Sequence, residues 1–275
     1  MRISKLTSGE RLRRKGQTKA PIHRGTSIGN LIVMGGSAGG YRALQEILPE
    51  LPVDIPAAIV VLVHSQLGTE YRIQGMLKQF TRIPIVPVQS SEALQHQAIF
   101  VLPPGKSASF HDGMIIVGEE TVPDHPTTTI NRLFTAAAQA YRERVIGVIL
   151  SGLLEDGTEG LRAVHQAGGL TIVQDPTKAA FSSMPMSAMA NLPVTFCLNL
   201  SDIGVALELL VRREMQFETG MAVAVRTLRA RASVLVRLAE QSRGNPGTRE
   251  FLWNELASLK RDLSCIEDLI KDVPE

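Results

Sequence analysis

LIVMGGSAGGYRALQEILPEL, residues 31–51, carries a β-branched run, a glycine-rich turn and a helical pattern in direct succession. A continuous apolar run bounded by turn signals is the mark of a strand buried on both faces, as in parallel sheets covered by helices. Working outward, the same alternation repeats. AIVVLVH (58–64) is followed by TEYRIQGMLKQF (69–80) and IPIVPV (83–88). Past the middle come a helix near 127–142, RVIGVILSG (144–152), TEGLRAVHQAG (158–168) and LTIVQD (170–175). A helix near 180–190, PVTFCL (193–198) and SDIGVALELLVRR (201–213) complete the series. Ser201 is a candidate N-cap of that last helix, and Gly168–Gly169 a candidate stop for the helix at 158–167. Between these halves, AIFVLPPG, SASFH and MIIVG (within 91–118) are short strands with Gly-containing turns, most plainly HDG at 111–113, which predicts a hairpin excursion. The expected class is α/β, doubly wound, with a mainly parallel sheet, a β-hairpin excursion and a C-terminal helical hairpin.

That hairpin is predicted from two apolar stripes. Val225, Leu228, Ala232, Leu235 and Leu238 form one; Leu252, Leu256, Leu259, Leu263, Ile266 and Ile270 form a stricter one with heptad character. RGNPG (243–247) breaks the chain between them. Such a hairpin packs on itself or on the domain, or else offers a dimer seam or a partner-binding face. The organisation expected is a disordered basic arm over 1–29, a catalytic domain over 30–213 and the hairpin over 214–275.

Charge is distributed unevenly over these parts. Residues 1–30 hold eight basic residues and one acid, residues 31–210 ten basic and sixteen acidic, and residues 211–275 eleven and ten. The overall charge of +2 therefore conceals a basic arm beside an acidic domain. A nucleic-acid binder is not expected, since the electrostatic footprint would rest on the arm alone and aromatics are only 4% of the chain. Two cysteines, Cys197 and Cys265, are too few for a disulfide framework or a zinc cluster and read as free thiols in a reducing compartment. No run of 18 apolar residues predicts a membrane span, and the basic N-terminus lacks the apolar core of a secretory signal. A cytoplasmic protein without a metal or cofactor is the expectation.

Chemistry concentrates at Gly35-Gly36-Ser37-Ala38-Gly39-Gly40. The run fits G-x-S-x-G, in which a serine rides a tight strand-to-helix turn with helix N–H groups nearby. A dinucleotide fingerprint fails because Ser37 and Ala38 stand where its second glycine is required, and a P-loop fails because Tyr41 replaces its lysine. A glycine turn serving only close strand–helix packing stays open. A nucleophilic serine needs a base and an orienting acid. Of six histidines, only His64 closes a buried-type strand, and in a parallel sheet the strands' carboxyl ends share one edge. A third strand runs into Leu153-Leu154-Glu155-Asp156-Gly157, so Asp156 sits just before a helix. Each taken singly has a bland alternative: a structural strand-end histidine, an N-capping aspartate.

On GGSAGG (35–40), VLVHSQLG (61–68), PPGK (103–106), GVILSGLLEDGTEGLRAVHQAGGLTIVQDP (147–176) and MPMSAM (184–189), the chain resembles the catalytic domain of the chemotaxis-receptor protein-glutamate methylesterases over about residues 30–210. The resemblance implies a Ser37–His64–Asp156 triad, with the backbone N–H groups of Ala38 and Leu153 as oxyanion donors. It further implies a methylated chemoreceptor-like substrate, glutamyl γ-methyl ester hydrolysis, and glutamine deamidation as a companion activity. The alternative, from another class, is a catalytically weak adaptor in a chemosensory-type system. The chain departs from the family at Ala38, where many members carry Thr; at Ser65-Gln66-Leu67; and at Leu153-Leu154-Glu155, which replaces a Met-Gly-Asn-type run. Only thirty residues precede the first strand, so no receiver domain is expected ahead of it, and regulation by relief of such a domain is not expected within this chain.

Overall fold

In the computed structural model, residues 29–64, 75–118, 128–212, 217–242 and 246–271 are described. The basic arm and residues 65–74, with the first half of the helix expected at 69–80, fall outside them, as do residues 119–127, 213–216, 243–245 and 272–275. The order is β1 (Asn30–Gly36), α1 (Gly40–Ile47), β2 (Ala57–Val63), β3 (Ile85–Pro87), β4 (Ser91–Ala93), β5 (Ala98–Val101), β6 (Ser107–His111) and β7 (Met114–Gly118). Then follow α2 (Thr129–Tyr141), β8 (Val145–Ile149), α3 (Thr158–Gln166), β9 (Leu170–Gln174), α4 (Ser183–Asn191), β10 (Phe196–Leu198), α5 (Leu200–Arg212), α6 (Phe217–Gln241) and α7 (Pro246–Lys271).

Seven strands form one sheet in the order β10-β9-β8-β1-β2-β5-β3, every pair parallel. The chain leaves β1 toward β2 on one side and later returns to β8 on the other. The gap above β1 and β8 is thus the point where the winding reverses, where open α/β sheets bind ligands. β1, β2 and β8 are buried throughout apart from Asn30, as expected of strands covered on both faces. Alternate residues feed two cores. Leu31, Val33, Val60, Leu62 and Ile149 face α2, α3, α4 and α6. Ile32, Met34, Ile59, Val61 and Val148 face α1 and α5.

The hairpin excursion is present but differs in one strand. Ala98–Val101 does not belong to it; β5 pairs in parallel with β2 and β3 inside the main sheet. Its four residues are all buried, which only a covered, two-sided position provides. The excursion is instead an antiparallel β4-β7-β6 sheet. Asp112 (φ 47°) and Gly113 (φ 75°) form its turn, both left-handed as a two-residue hairpin of this hand requires. α5 begins one residue before the sequence pattern suggested. Asn199 accepts at its carbonyl from the N–H groups of Asp202 and Ile203 (3.0 and 3.1 Å), so Ser201 lies inside the first turn rather than at the N-cap. α3 does stop at the glycines: Gly168 is left-handed (φ 84°) and the Gly169 N–H donates back to Val164 O at 2.9 Å.

Two glycines fix how α2 approaches the sheet. A side chain at Gly35 would run into Ile130, so β1 is bare where the start of α2 crosses it. At Gly160, a Cβ would lie 2.6 Å from Asn131 O and 2.8 Å from its Cα, which locks α3 against α2 backbone to backbone. The Gly160 N–H also donates to Asn131 Oδ1 at 2.8 Å. Backbone atoms cannot rotate aside, so Gly160→Ala is expected to cost about 1–3 kcal/mol by overpacking, read as a lower urea midpoint with an unchanged slope.

The C-terminal helices form an antiparallel hairpin around Leu235, Leu256 and Leu259. Ile266 and Ile270 of the expected stripe fall outside the described side chains. α6 also joins the main core through Ala230 and Val234. Its buried Thr227 accepts at Oγ1 from the N–H of Cys197 on the edge strand β10 (2.8 Å). Cys197 is fully buried, and burial, with a smaller push from Asp175, raises its thiol to about 12. A thiol held protonated this firmly is inert.

Candidate active site

The strand registers deliver the serine and the histidine together. β1 and β2 run Gly36 opposite Val63, and the His64 N–H donates to Gly36 O at 2.9 Å. Across the other edge of β1, the Ser37 N–H donates to Ser151 O at 3.0 Å. Ser37 and His64 are thus the next residues in register after paired parallel strands, whose axes lie about 4.8 Å apart. By alternation both continue the series Leu31, Val33, Gly35 and Val60, Leu62, on the face covered by α2.

α2 and the loop after β8 supply the rest. The His64 ring nitrogen Nε2 lies 3.1 Å from Asp156 Oδ2 and 2.8 Å from Thr129 Oγ1. Asp156 is only 2% exposed. Its Oδ2 also accepts from the Ile130 N–H (3.0 Å), and its Oδ1 from the N–H groups of Asn131 (3.0 Å) and Gly157 (2.8 Å). Four donors therefore converge on two oxygens, the full complement of an acceptor-only carboxylate. Two of them are first-turn N–H groups of α2, so Asp156 caps a helix other than the one it precedes and is held at the positive end of its dipole. In the tautomer that carries its proton on Nε2, toward this carboxylate, the lone pair of a neutral imidazole lies on Nδ1.

The two predicted oxyanion peptides share one construction. The carbonyl of Ser37 accepts from the Gly40 N–H at 2.9 Å, and that of Gly152 accepts from the Met184 N–H at 3.0 Å. The peptides are trans, so pinning each carbonyl turns the N–H of the following residue the opposite way. Those N–H groups belong to Ala38 and Leu153, and neither has an acceptor among the described residues. Gly152 lies against the serine: a Cβ built on it would stand 3.0 Å from Ser37 Cβ. Gly39, left-handed at φ 77°, makes the turn that sends the chain from Ser37 into α1. Leu153, Leu154 and Phe181, at 50%, 63% and 42% exposure, form an apolar rim.

Three residues here gave no sign in the sequence. Thr129 is one, completely buried beneath the imidazole. Ser151 and Gln174 are the others. Ser151 Oγ donates to Ala38 O (2.8 Å) and accepts from the Phe181 N–H (3.0 Å), while the Ser151 N–H donates to Gln174 Oε1 (2.8 Å). One buried hydroxyl thus ties the serine turn, the loop after β8 and the loop after β9. Ser151→Ala leaves two backbone groups unpaired beside both candidate oxyanion peptides, a loss of about 1–3 kcal/mol. The expected result is a kcat lowered roughly 10- to 100-fold on a small ester. An unchanged kcat would assign Ser151 to folding alone.

Comparison with known proteins identifies the family. The family model described as CheB methylesterase matches residues 32–207. A protein-glutamate methylesterase/protein-glutamine glutaminase of Anaeromyxobacter dehalogenans is 33% identical over 182 residues, covering 66% of this chain and 53% of its own. This chain therefore spans about half of that relative's length. A Leptospira interrogans protein, provisionally named for the same two activities, is 33% identical over 189 residues, 66% of this chain and 93% of its own. The crystal structure of the Thermotoga maritima CheB methylesterase catalytic domain superposes with a TM-score of 0.60 at 26% identity, covering 66% of this chain and 98% of that one. The family model spans well over half of the chain, and the solved catalytic domain shares its parallel sheet: the chain belongs to the CheB methylesterase family.

Proposed function

We propose that the chain is a serine hydrolase that removes the methyl group from glutamyl γ-methyl esters of a chemoreceptor-like protein, with Ser37, His64 and Asp156 as its triad. The observation that carries the reading is the His64 ring, held by the buried Asp156 at 3.1 Å at the strand end in register with Ser37. In this mechanism Ser37 Oγ attacks the ester carbonyl as its proton passes to His64 Nδ1. Asp156, fixed by three backbone N–H groups, stabilises the imidazolium across Nε2. The N–H groups of Ala38 and Leu153 bind the oxyanion, at no reorganisation cost because their peptides are already pinned. Collapse of the tetrahedral intermediate breaks the C–OCH3 bond, and His64 returns its proton to the leaving methoxide, giving methanol. Water, deprotonated by the same imidazole, then cleaves the acyl-serine and leaves a glutamate carboxylate. The same cycle on a glutamine amide would release ammonia, the second activity named for the relatives.

No helix among the described residues is long and apolar enough to cross a membrane. A cytoplasmic location, and a signalling partner or second copy held by the exposed face of α7, complete the proposal; Phe251 and Trp253 on that face, at 62% and 41% exposure, support it. Methanol release from a methylated receptor, followed for the wild-type protein and Ser37→Ala side by side, tests the activity. Equal release, or none from either, overturns it and leaves an adaptor.

A further inference from the structure

A cavity of about 530 Å³ opens beside the serine turn but on the other face of the sheet, between α1, α5 and the loop after β9. Its lining starts at Gly39, two residues past Ser37, and includes Ser151, Gln174, Arg42, Lys178 and Ser201. The triad side chains do not line it. Its lining is mixed: donors on Gln174, Lys178, Arg42 and Ser201 stand beside Asn199, whose buried Oδ1 has no partner among the described residues. Gln174 is 2% exposed, and its Oε1 is taken by the Ser151 N–H at 2.8 Å. The amide is thereby oriented, and its –NH2 end is the part left to face the space that Gln174 lines. Residues at the start of α1 (Gly39, Arg42, Ala43) and of α5 (Leu200, Ser201) line the same space, so the positive ends of two helix dipoles lie beside it. Lys178 and Arg42 stand at the rim; the one acid there, Glu46, approaches Arg42 only to 3.9 Å with both side chains largely in solvent, a weak pair.

We infer that this cavity is a specificity subsite for an acidic side chain of the protein substrate, displaced along the substrate from the reacting glutamyl ester. The inference rests on the esterase reading above and adds to it a recognition rule. A substrate helix rises 1.5 Å per residue, so an acid three to seven residues from the ester is carried about 5–10 Å away. That is the scale of the step from Ser37 over the Gly39 turn. The carboxylate would accept from the Gln174 amide and the helix ends, with Lys178 and Arg42 favouring its charge.

The test uses helical peptides, each bearing one glutamyl γ-methyl ester and a single Glu or Gln placed three, four or seven residues to either side. At one offset the wild-type full chain is expected to favour Glu over Gln by about threefold to tenfold in kcat/KM, shrinking as salt is raised. Lys178→Glu should cancel or reverse that preference while hydrolysis of p-nitrophenyl acetate is unchanged. Binding of the same peptides to the Ser37→Ala protein, by fluorescence anisotropy, should show the same preference without turnover. No preference at any offset in wild type, or a preference untouched by Lys178→Glu, overturns the subsite. Preference in binding without hydrolysis by the wild type would instead count against the esterase reading and keep the subsite.

Discussion

Ser37→Ala is expected to lower kcat on a glutamyl methyl ester by roughly 10⁴–10⁶-fold while leaving the fold intact. The residue's structural duties are all main-chain. Its N–H donates to Ser151 O at 3.0 Å and its carbonyl accepts from the Gly40 N–H at 2.9 Å, and both bonds survive the substitution. Its hydroxyl makes no side-chain hydrogen bond with a described residue, so the folding stability should change by no more than a typical surface substitution, about ±0.5 kcal/mol. The floor is set by what the mutation leaves behind: two pinned N–H groups and an oriented imidazole, which still assist attack by water. Steady-state methanol release beside calorimetry is the measurement. A variant retaining a tenth of the wild-type rate would remove Ser37 from the nucleophile's role.

Asp156→Asn is expected to damage both activity and stability, because no orientation of the amide suits the site. Oδ1 receives N–H groups from Asn131 and Gly157, and Oδ2 receives one from Ile130 besides the histidine. Whichever oxygen becomes –NH2 then opposes at least one backbone donor. The buried mismatch should cost about 1–3 kcal/mol, seen as a lower denaturant midpoint. If the amide presents –NH2 to His64, the ring must offer an unprotonated nitrogen there and loses the tautomer that leaves Nδ1 basic. The fall in kcat should be roughly 10³–10⁴-fold. A variant within tenfold of wild type in kcat would show that the carboxylate serves α2 and not the histidine.

Much of this was legible in the chain itself. β1, β2 and β8 announce themselves because strands covered on both faces must be apolar without interruption, and the turn glycines at 35–40 mark the strand-to-helix junction. Ser37 and His64 could be paired in advance because the ends of adjacent parallel strands share one edge. Ala98–Val101 was harder to place: four apolar residues beside hairpin signals do not say which sheet they enter, and only pairing with β2 and β3 decides it. Thr129, Ser151 and Gln174 escaped for a different reason. They are common polar residues whose importance lies in a partner far along the chain, such as the 65-residue separation between His64 and Thr129. No local pattern encodes such a distance.

The bond from the Cys197 N–H to Thr227 Oγ1 bears on how the molecule keeps to itself in concentrated solution. β10 ends the seven-stranded sheet, and an edge strand offers unpaired N–H and C=O groups to any passing strand. α6 lies over that edge, answers one of those donors with a side chain, and buries Ala230 and Val234 against the core. A protein trimmed to the family-matched residues 32–207 would keep the candidate triad. It would also bare a template for intermolecular β-pairing, with the apolar bed of α6 beside it. α6 thus covers an edge that would otherwise stand open to another strand.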